Sequence, residues 1–327
     1  MTDGRKPLGP APDGRRRVLA GLCVLITVGV AMAVATRWLD TSAARLPVLQ
    51  AAFPMIGGVA IAWAGLSLVL LRRRLALALP AVCVALVPTV LGASTLGSDT
   101  VPGSEADEVV AASNLEFGEA DPTTLVARVR DLKVDTLVLT EITPDAAAAL
   151  DESGLKVLLP HRVGQAQVGA DGTVILSRHR LTDIASGHIP GLFDQPVATV
   201  HARTGDYTLR AMHPYPPTPR LVRGWHRQLG EAANWVAAQP DARPLVLAGD
   251  FNASQAHPAF RTLTKDMVHA HRVAGSGWVR TWPQNTGVPA FVQLDHVLVR
   301  RGGVVGAGAT TLPGTDHSLV WARLNLS

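Results

Sequence analysis

Cysteine is almost absent from this chain. There are two, Cys23 and Cys83, and none from residue 105 onward. Both lie in apolar runs, so the polar part of the chain uses neither disulfides nor thiolate chemistry. A basic surplus is also missing where nucleic acid would need it. The chain has 30 Lys and Arg against 26 Asp and Glu, but residues 1–104 hold ten of the bases and only four of the acids. Residues 105–327 are left with twenty bases and twenty-two acids, and with all eleven histidines. The formal surplus of +4 therefore comes from the first third, and the remainder is not a strongly basic nucleic-acid surface, which requires clustered Lys and Arg at the contact face.

Charge is also lacking within three apolar runs, at about 18–36, 49–71 and 75–93. Each is long enough for a helix to cross the roughly 30 Å hydrocarbon core. With no ionisable side chain inside a run, nothing suggests a transport path, and tethering is the simple reading. Arg15, Arg16 and Arg17 precede the first run, and Arg72, Arg73 and Arg74 separate the second from the third. Positive residues stay on the cytoplasmic side. This places the N-terminus (1–17) inside, the first loop outside, and everything after residue 93 outside. A cleaved signal peptide is the competing reading of run one, but two further runs follow it, so cleavage would not release the protein. The expected organisation is a three-helix membrane anchor over 18–93, a polar linker over 94–107 and a second domain over 108–327.

That second part alternates short β-type runs with helical spacing. Residues 108–113, 136–140, 173–176, 198–202, 207–212, 244–247 and 292–299 have strand patterns. Residues 122–132, 144–150 and 221–238 have helical ones, the last with Leu221, Trp225, Leu229, Ala233 and Val236 on one face. Many strands with several helices predict an α/β or α+β sandwich of two sheets.

Acidic and amide residues recur where these strands end. Asn114 follows EVVAAS, Glu141 follows TLVLT, and Asp250 and Asn252 follow PLVLAG. Asp295 opens the strand at 295, Asp316 and His317 precede Ser318-Leu319-Val320, and His213 follows TLRAM. Mg²⁺ takes oxygen ligands and keeps several waters, so one or two carboxylates suffice; Glu141 with one Asp meets that need. Phosphate-ester hydrolysis needs an oriented water, neutralised phosphoryl oxygens and a stabilised leaving oxygen. Asp250 is placed to orient the water, and Asn252, Asn114 and His213 to donate to phosphate oxygens. A His paired with an Asp stays cationic more readily. Singly, each of these residues reads equally well as a turn, a loop or a strand cap.

Taken in order, N-L at Asn114, T-E at Glu141, G-T-V-I-L-S-R at 172–178, H-P at His213, G-D-F-N at 249–252, L-D-H-V-L at 294–298 and T-D-H-S at 315–318 resemble the endonuclease/exonuclease/phosphatase superfamily. That superfamily includes pancreatic-type DNases, abasic-site endonucleases, neutral sphingomyelinases and inositol-polyphosphate phosphatases. The resemblance covers about 108–327. It implies a four-layer sandwich, two mixed sheets face to face with helices outside, and metal-assisted hydrolysis without a covalent intermediate. It implies Glu141 as principal Mg²⁺ ligand (Mn²⁺ being the alternative), with Asn114 beside it and Asp316 serving that metal or a second one. It further implies Asp250 activating water, Asn252 holding phosphate, His317 contacting phosphate and moving a proton, Asp295 orienting His317, and His213 binding phosphate or assisting the leaving group. Ser177 and Arg178 read as structural, His296 as a strand-facing structural residue.

There are departures. The chain has only two Tyr, and the added Lys and Arg that flank inositol-phosphatase sites are not evident; Arg162, Arg178 and Arg180 are the candidates for substrate contact. Three functions stay open. The first is a nuclease outside the cytoplasm. The second is a lipid or phosphosugar phosphoesterase at the membrane surface, which the tether favours. The third is an inactive binding module, disfavoured because every expected catalytic position is filled. The partners expected are a phosphate-ester substrate and the membrane, with no protein partner. Trp278, Trp282 and Phe291 are candidates to stack on bases or enter lipid, with core packing as the bland alternative.

Overall fold

The computed structural model describes residues 14–43, 45–71, 99–184 and 192–327. Helix α1 (Gly14–Ala35) runs into a 3-10 turn (Thr36–Trp38), followed by α2 (Leu46–Ala51) and α3 (Phe53–Leu71). Two of the three apolar runs are thus helical. The third, 75–93, and the start of the linker, 94–98, lie outside the described residues. The second run differs from expectation, because the helix breaks at Ala52. Pro54 accounts for the break: proline has no N–H to donate and its ring clashes with the carbonyl four residues back, whereas the first turn of a new helix tolerates it. Three membrane helices were expected. Among the described residues one stretch, Gly21–Trp38, with 18 residues and mean hydropathy 1.7, is long and apolar enough to cross a membrane. Trp63 of α3 donates its indole N–H to Thr27 Oγ1 of α1 at 2.9 Å, and Thr27 in turn donates to the Cys23 carbonyl.

The second domain holds two six-stranded sheets. The first has the order β11 (Gly303–Thr311), β12 (Ser318–Asn325), β1 (Glu108–Asn114), β2 (Thr136–Thr140), β4 (Thr173–Ser177), β3 (His161–Gln165). The second runs β5 (Leu181–Asp183), β6 (Val197–Ala202), β7 (Gly205–Met212), β8 (Leu245–Asp250), β10 (Asp295–Arg300), β9 (Val268–His269). Each sheet has one parallel pair in its middle, β1 with β2 and β7 with β8, and antiparallel neighbours elsewhere. Strand alternation fills both faces. Val110, Ala112, Val138, Leu209, Ala211 and Val246 pack between the sheets. Val109, Ala111, Leu137 and Leu139 point the other way, onto Leu125 and Val129 of the helix Pro122–Asp131. Leu245, Leu247 and Leu298 point outward onto Trp225, Leu229 and Phe260. Central strands buried on both faces must read as continuous apolar runs, which is why TLVLT and PLVLAG were visible in the sequence. The result is two mixed sheets flanked by helices, as the sandwich reading expected.

Some elements did not show in the sequence. β11 is GVVGAGATT, too rich in glycine to suggest a strand. Tertiary packing makes it one: it pairs along its length with β12, and the Trp321 ring lies where a side chain at Gly308 would be. The strand expected at 292–299 begins only at Asp295. At the start of β7, Tyr207 is fully buried and donates to Thr136 Oγ1 of β2 at 2.9 Å, one hydrogen bond joining the two sheets.

The segment between α1 and α3 lies on the second sheet's outer side. His257 is fully buried. Its Nδ1 accepts from Ser254 N–H at 2.8 Å, which leaves the proton on Nε2, 2.9 Å from the Pro47 carbonyl. Burial holds this ring neutral, with its pKa pushed down to about 4. Arg261 donates to the Arg37 carbonyl at 2.7 Å, His226 meets Asp40 at 2.9 Å, and Val34, Phe53 and Ala256 form a small apolar cluster.

Candidate active site

The carboxyl ends of the two parallel pairs meet at one edge of the sandwich. β1 ends on Asn114, β2 leads into Glu141, β7 into His213, and β8 ends on Asp250. Asn114 joins the sheets: its Nδ2 donates to Glu141 Oε1 at 2.9 Å and to Asp250 Oδ2 at 3.1 Å, and its Oδ1 accepts from Glu116 N–H. Thr315 reinforces the junction. Its hydroxyl donates to the Asn114 carbonyl at 2.9 Å and accepts from His317 N–H at 3.1 Å.

The backbone here is unusual. Glu116, Phe117, Glu141 and Asn252 all have left-handed φ, between 47° and 57°. Side chains other than Gly and Asn rarely adopt this region, and such residues collect where a scaffold over-determines them. At Gly249 φ is +142°, and a Cβ would collide with the Met212 carbonyl. Only glycine lets β8 lie this close to β7 just before Asp250.

Glu141 is held by three groups. Oε1 accepts from Asn114 and faces His213 Nε2 at 3.7 Å, an ion-pair rather than a hydrogen-bond distance, and Oε2 accepts from Phe117 N–H at 3.0 Å. Burial works to raise its pKa, but His213, Asn114 and the Phe117 amide outweigh burial and lower it. Asp250 is the opposite case. Burial, with Asp295 nearby, pushes its carboxyl up to about 6 despite the opposing histidines His317 and His213. Its Oδ1 accepts from Asn252 N–H at 2.7 Å, and Asn252 Nδ2 donates to the Pro214 carbonyl.

Asp295 and His317 form a buried pair, Oδ2 to Nδ1 at 2.8 Å. Nε2 of the same ring faces Asp250 and Asp316, each at 3.8 Å. Burial alone would lower the histidine pKa. Asp295, Asp250 and Asp316 overcome it and push it up to about 10, so the ring is an imidazolium at neutral pH. Thr281 Oγ1 accepts from the backbone N–H of both Leu294 and Asp295, holding the start of β10 in place. Both ring nitrogens of His213 are buried without a hydrogen-bond partner, and Phe193 stacks on the ring at 4.9 Å between centroids. A buried polar group with no partner is costly, and a ligand atom would remove that cost.

Asp250, Asp295 and His317 can bring one atom each within 4.8 Å of one another. Within this set Asp295 already occupies Nδ1 of His317, so the ring has only its other nitrogen left to offer. Glu141, Asn114 and Asp316 fit a hard cation better, as oxygen donors of a crowded acidic edge. Glu116 reports that crowding: burial raises its carboxyl pKa, and Asp316 and Glu141 raise it further.

All eight candidate residues, Asn114, Glu141, His213, Asp250, Asn252, Asp295, Asp316 and His317, thus lie at this edge. Sequence reasoning passed over Glu116, Phe117 and Phe193, and gave Thr315 no role of its own although it opens the T-D-H-S motif. Glu116 and Phe117 follow Asn114 within three residues; Phe193 carried no usable local pattern. Among the aromatics, Trp282 donates to Asp316 Oδ2 at 2.8 Å and packs on Phe291, while Trp278 is about half exposed rather than buried in a core. Ser177 and Arg178 lie at the far end of the sheet, where Ser177 meets Thr136 and Arg178 pairs with Asp135 at 3.2 Å. His296 is buried against Phe251 and Phe260, its Nε2–H donating to the Ala253 carbonyl at 3.0 Å. For these three residues a structural place is what the structure gives.

Residues 111–317 match the model of the Endonuclease/Exonuclease/phosphatase family. No curated protein matches the chain. Among solved structures, D. rerio TDP2 in complex with a single-strand DNA product superposes with a TM-score of 0.56 at 15% identity, covering 68% of this chain and 100% of that one. An endonuclease/exonuclease/phosphatase protein from Beutenbergia cavernae superposes with a TM-score of 0.53 at 21% identity, covering 68% of this chain and 72% of that one. At these identities the likeness is one of fold.

Proposed function

The chain belongs to the endonuclease/exonuclease/phosphatase family, and from that premise we propose that it is a membrane-anchored, Mg²⁺-dependent phosphodiesterase acting outside the cytoplasm. The observation that carries the reading is the geometry across the site: Asp295 and His317 form a buried pair at 2.8 Å, and the ring's other nitrogen faces Asp250 at 3.8 Å. Burial raises the Asp250 carboxyl and the neighbouring carboxylates raise the histidine, directions that agree with a base and a cationic partner. Glu141, with Asn114 and Asp316, would hold Mg²⁺, which when bound supplies neutralising charge to the phosphoryl and leaving oxygens. Asp250, an anion at neutral pH, orients a water and takes its proton. Asn252, fixed by its backbone and by Pro214, presents its amide to a phosphoryl oxygen. The imidazolium of His317, steadied by Asp295, faces the growing negative charge, and His213 offers an N–H to the same anion.

The membrane reading rests on chemistry at the other end of the molecule. Leu25 and Met32 of α1 and Val59 of α3 are more than half exposed, an unfavourable state in water that lipid relieves. The arginines at 15–17 put the N-terminus inside and the first loop outside. The contacts of Asp40, Pro47 and Arg37 with His226, His257 and Arg261 support a domain on the loop's side.

Hydrolysis by the full chain in detergent with Mg²⁺, against single-strand DNA, duplex DNA and a choline phospholipid in parallel with EDTA controls, tests the proposal. Metal-dependent cleavage of nucleic acid is the expected result. A neighbouring fold was crystallised with a single-strand DNA product, and the acidic balance of 105–327 disfavours tight duplex binding. Cleavage of phospholipid alone replaces this substrate class with the second reading, which the nearness of α1 to the domain favours. No EDTA-sensitive turnover on any phosphodiester sinks the mechanism.

A further inference from the structure

One cavity among the described residues lies away from the candidate active site. It lies where the N-terminal segment meets the second sheet, has a volume of about 420 Å³, and falls within the roughly 300–1,000 Å³ of ordinary ligand pockets. Its outer wall is Phe53 and Pro54, the first residues of α3, and its inner walls include Ala256, Ala270, Val279 and Val292. Arg37 stands beside it with its guanidinium over the Phe53 ring, 5.3 Å from the centroid. Among the described residues no carboxylate pairs with that guanidinium.

We propose that this cavity holds one acyl chain of an anionic membrane lipid, with Arg37 taking the headgroup phosphate. Three observations fit that occupant. The mainly apolar lining suits a hydrocarbon chain and would be poorly used by water. The wall formed by the start of α3 means that a chain leaving the bilayer reaches the cavity along a helix already in lipid; the inference rests on the membrane reading to this extent. The unpaired cation at its side supplies the charge complement of a phosphate, and guanidinium matches phosphate geometry. The site is separate from the catalytic edge, although its inner wall includes Ser254–Ala256 and Val297, from the segments that carry Asn252 and Asp295.

The test uses the full chain in nanodiscs of phosphatidylglycerol doped with phosphatidylglycerol bearing a diazirine on one acyl chain. Photolabel is expected on peptides spanning 254–256 and 278–298 as well as on α1 and α3. Arg37→Gln is expected to lower the domain label about fivefold, the worth of one cation at a lipid phosphate. Val279→Trp, which fills the cavity, is expected to remove it while label on α1 and α3 persists. Label confined to α1 and α3 in the wild type overturns the lipid site and leaves the anchor intact. Equal domain labelling by a phosphatidylcholine probe also overturns it, since Arg37 would then select nothing. A chain that does not enter the nanodisc overturns the anchor and this site together.

Discussion

His317 Nδ1 lies 2.8 Å from Asp295 Oδ2, and the two residues belong to different strands' ends, β10 and the loop before β12. Asp295 is fully buried, so its charge acts on the ring through protein rather than water, and the ring's other nitrogen is left facing Asp250. Most of the site's expected behaviour comes from this one pair.

Activity should follow a bell in pH. In the proposed mechanism Asp250 works as the anion, so kcat/KM rises as pH passes about 6, and His317 as the cation, so it falls as pH passes about 10. Asp295→Asn removes the largest contribution holding the proton on His317, and the alkaline limb is expected to move to lower pH. A limb that stays in place denies Asp295 its orienting role.

Asp250→Asn should abolish turnover without unfolding the protein. Its carboxyl has a folded pKa above its unfolded one, so the favourable contribution of the protonated form is present at low pH and is lost as pH rises through about 6. At pH 7 an amide there avoids ionising a buried acid. The variant is expected to be at least as stable as wild type, by about 1–2 kcal/mol. Thermal melts at pH 5 and pH 8 check the sign, the gain being larger at the higher pH.

Trp282→Phe should weaken the metal more than the chemistry. The indole N–H fixes Asp316 Oδ2 at 2.8 Å, and removing groups that orient a metal ligand typically costs about 10–100-fold in affinity. The Mg²⁺ concentration for half-maximal activity is expected to rise about tenfold, with kcat at saturating Mg²⁺ nearly unchanged. Loss of kcat alone counts against Asp316 as a ligand.

Tyr207→Phe is the control at the far end of the sandwich. It removes one buried hydrogen bond between the sheets and leaves Thr136 Oγ1 its partner Ser177, so the expected cost is about 1 kcal/mol in stability. Activity should be unchanged. A drop in turnover at full folding would mean that the sheet junction transmits to the site.

A reporter fused after Ser327 tests the topology. Activity of a periplasm-type reporter is expected; activity of a cytoplasmic reporter alone reverses the orientation proposed from Arg15, Arg16 and Arg17.

Much of the site was legible because its residues end strands buried on both faces, and such strands write themselves as unbroken apolar runs. TLVLT stops at Glu141 and PLVLAG at Asp250 for that reason. Glu116 was passed over because a short loop after Asn114 has no periodicity to flag it, and Phe193 because its role is a stack on a histidine 20 residues away. The strand Gly303–Thr311 was hidden by its glycines, which suit close cover by Trp321 and not a local β preference.

The sequence by itself determined the apolar runs and the sandwich class, and it singled out eight polar residues that the fold brings to one edge, since these follow from composition, period and order along the chain. Only the tertiary structure decided which charges meet. Asn114 reaches Asp250 across 136 residues, and Asp295 reaches His317 across 22. No local pattern encodes such pairings, because they arise from two sheets packing face to face; burial at that junction raises Asp250, while the carboxylates gathered there keep the proton on His317 against the effect of burial.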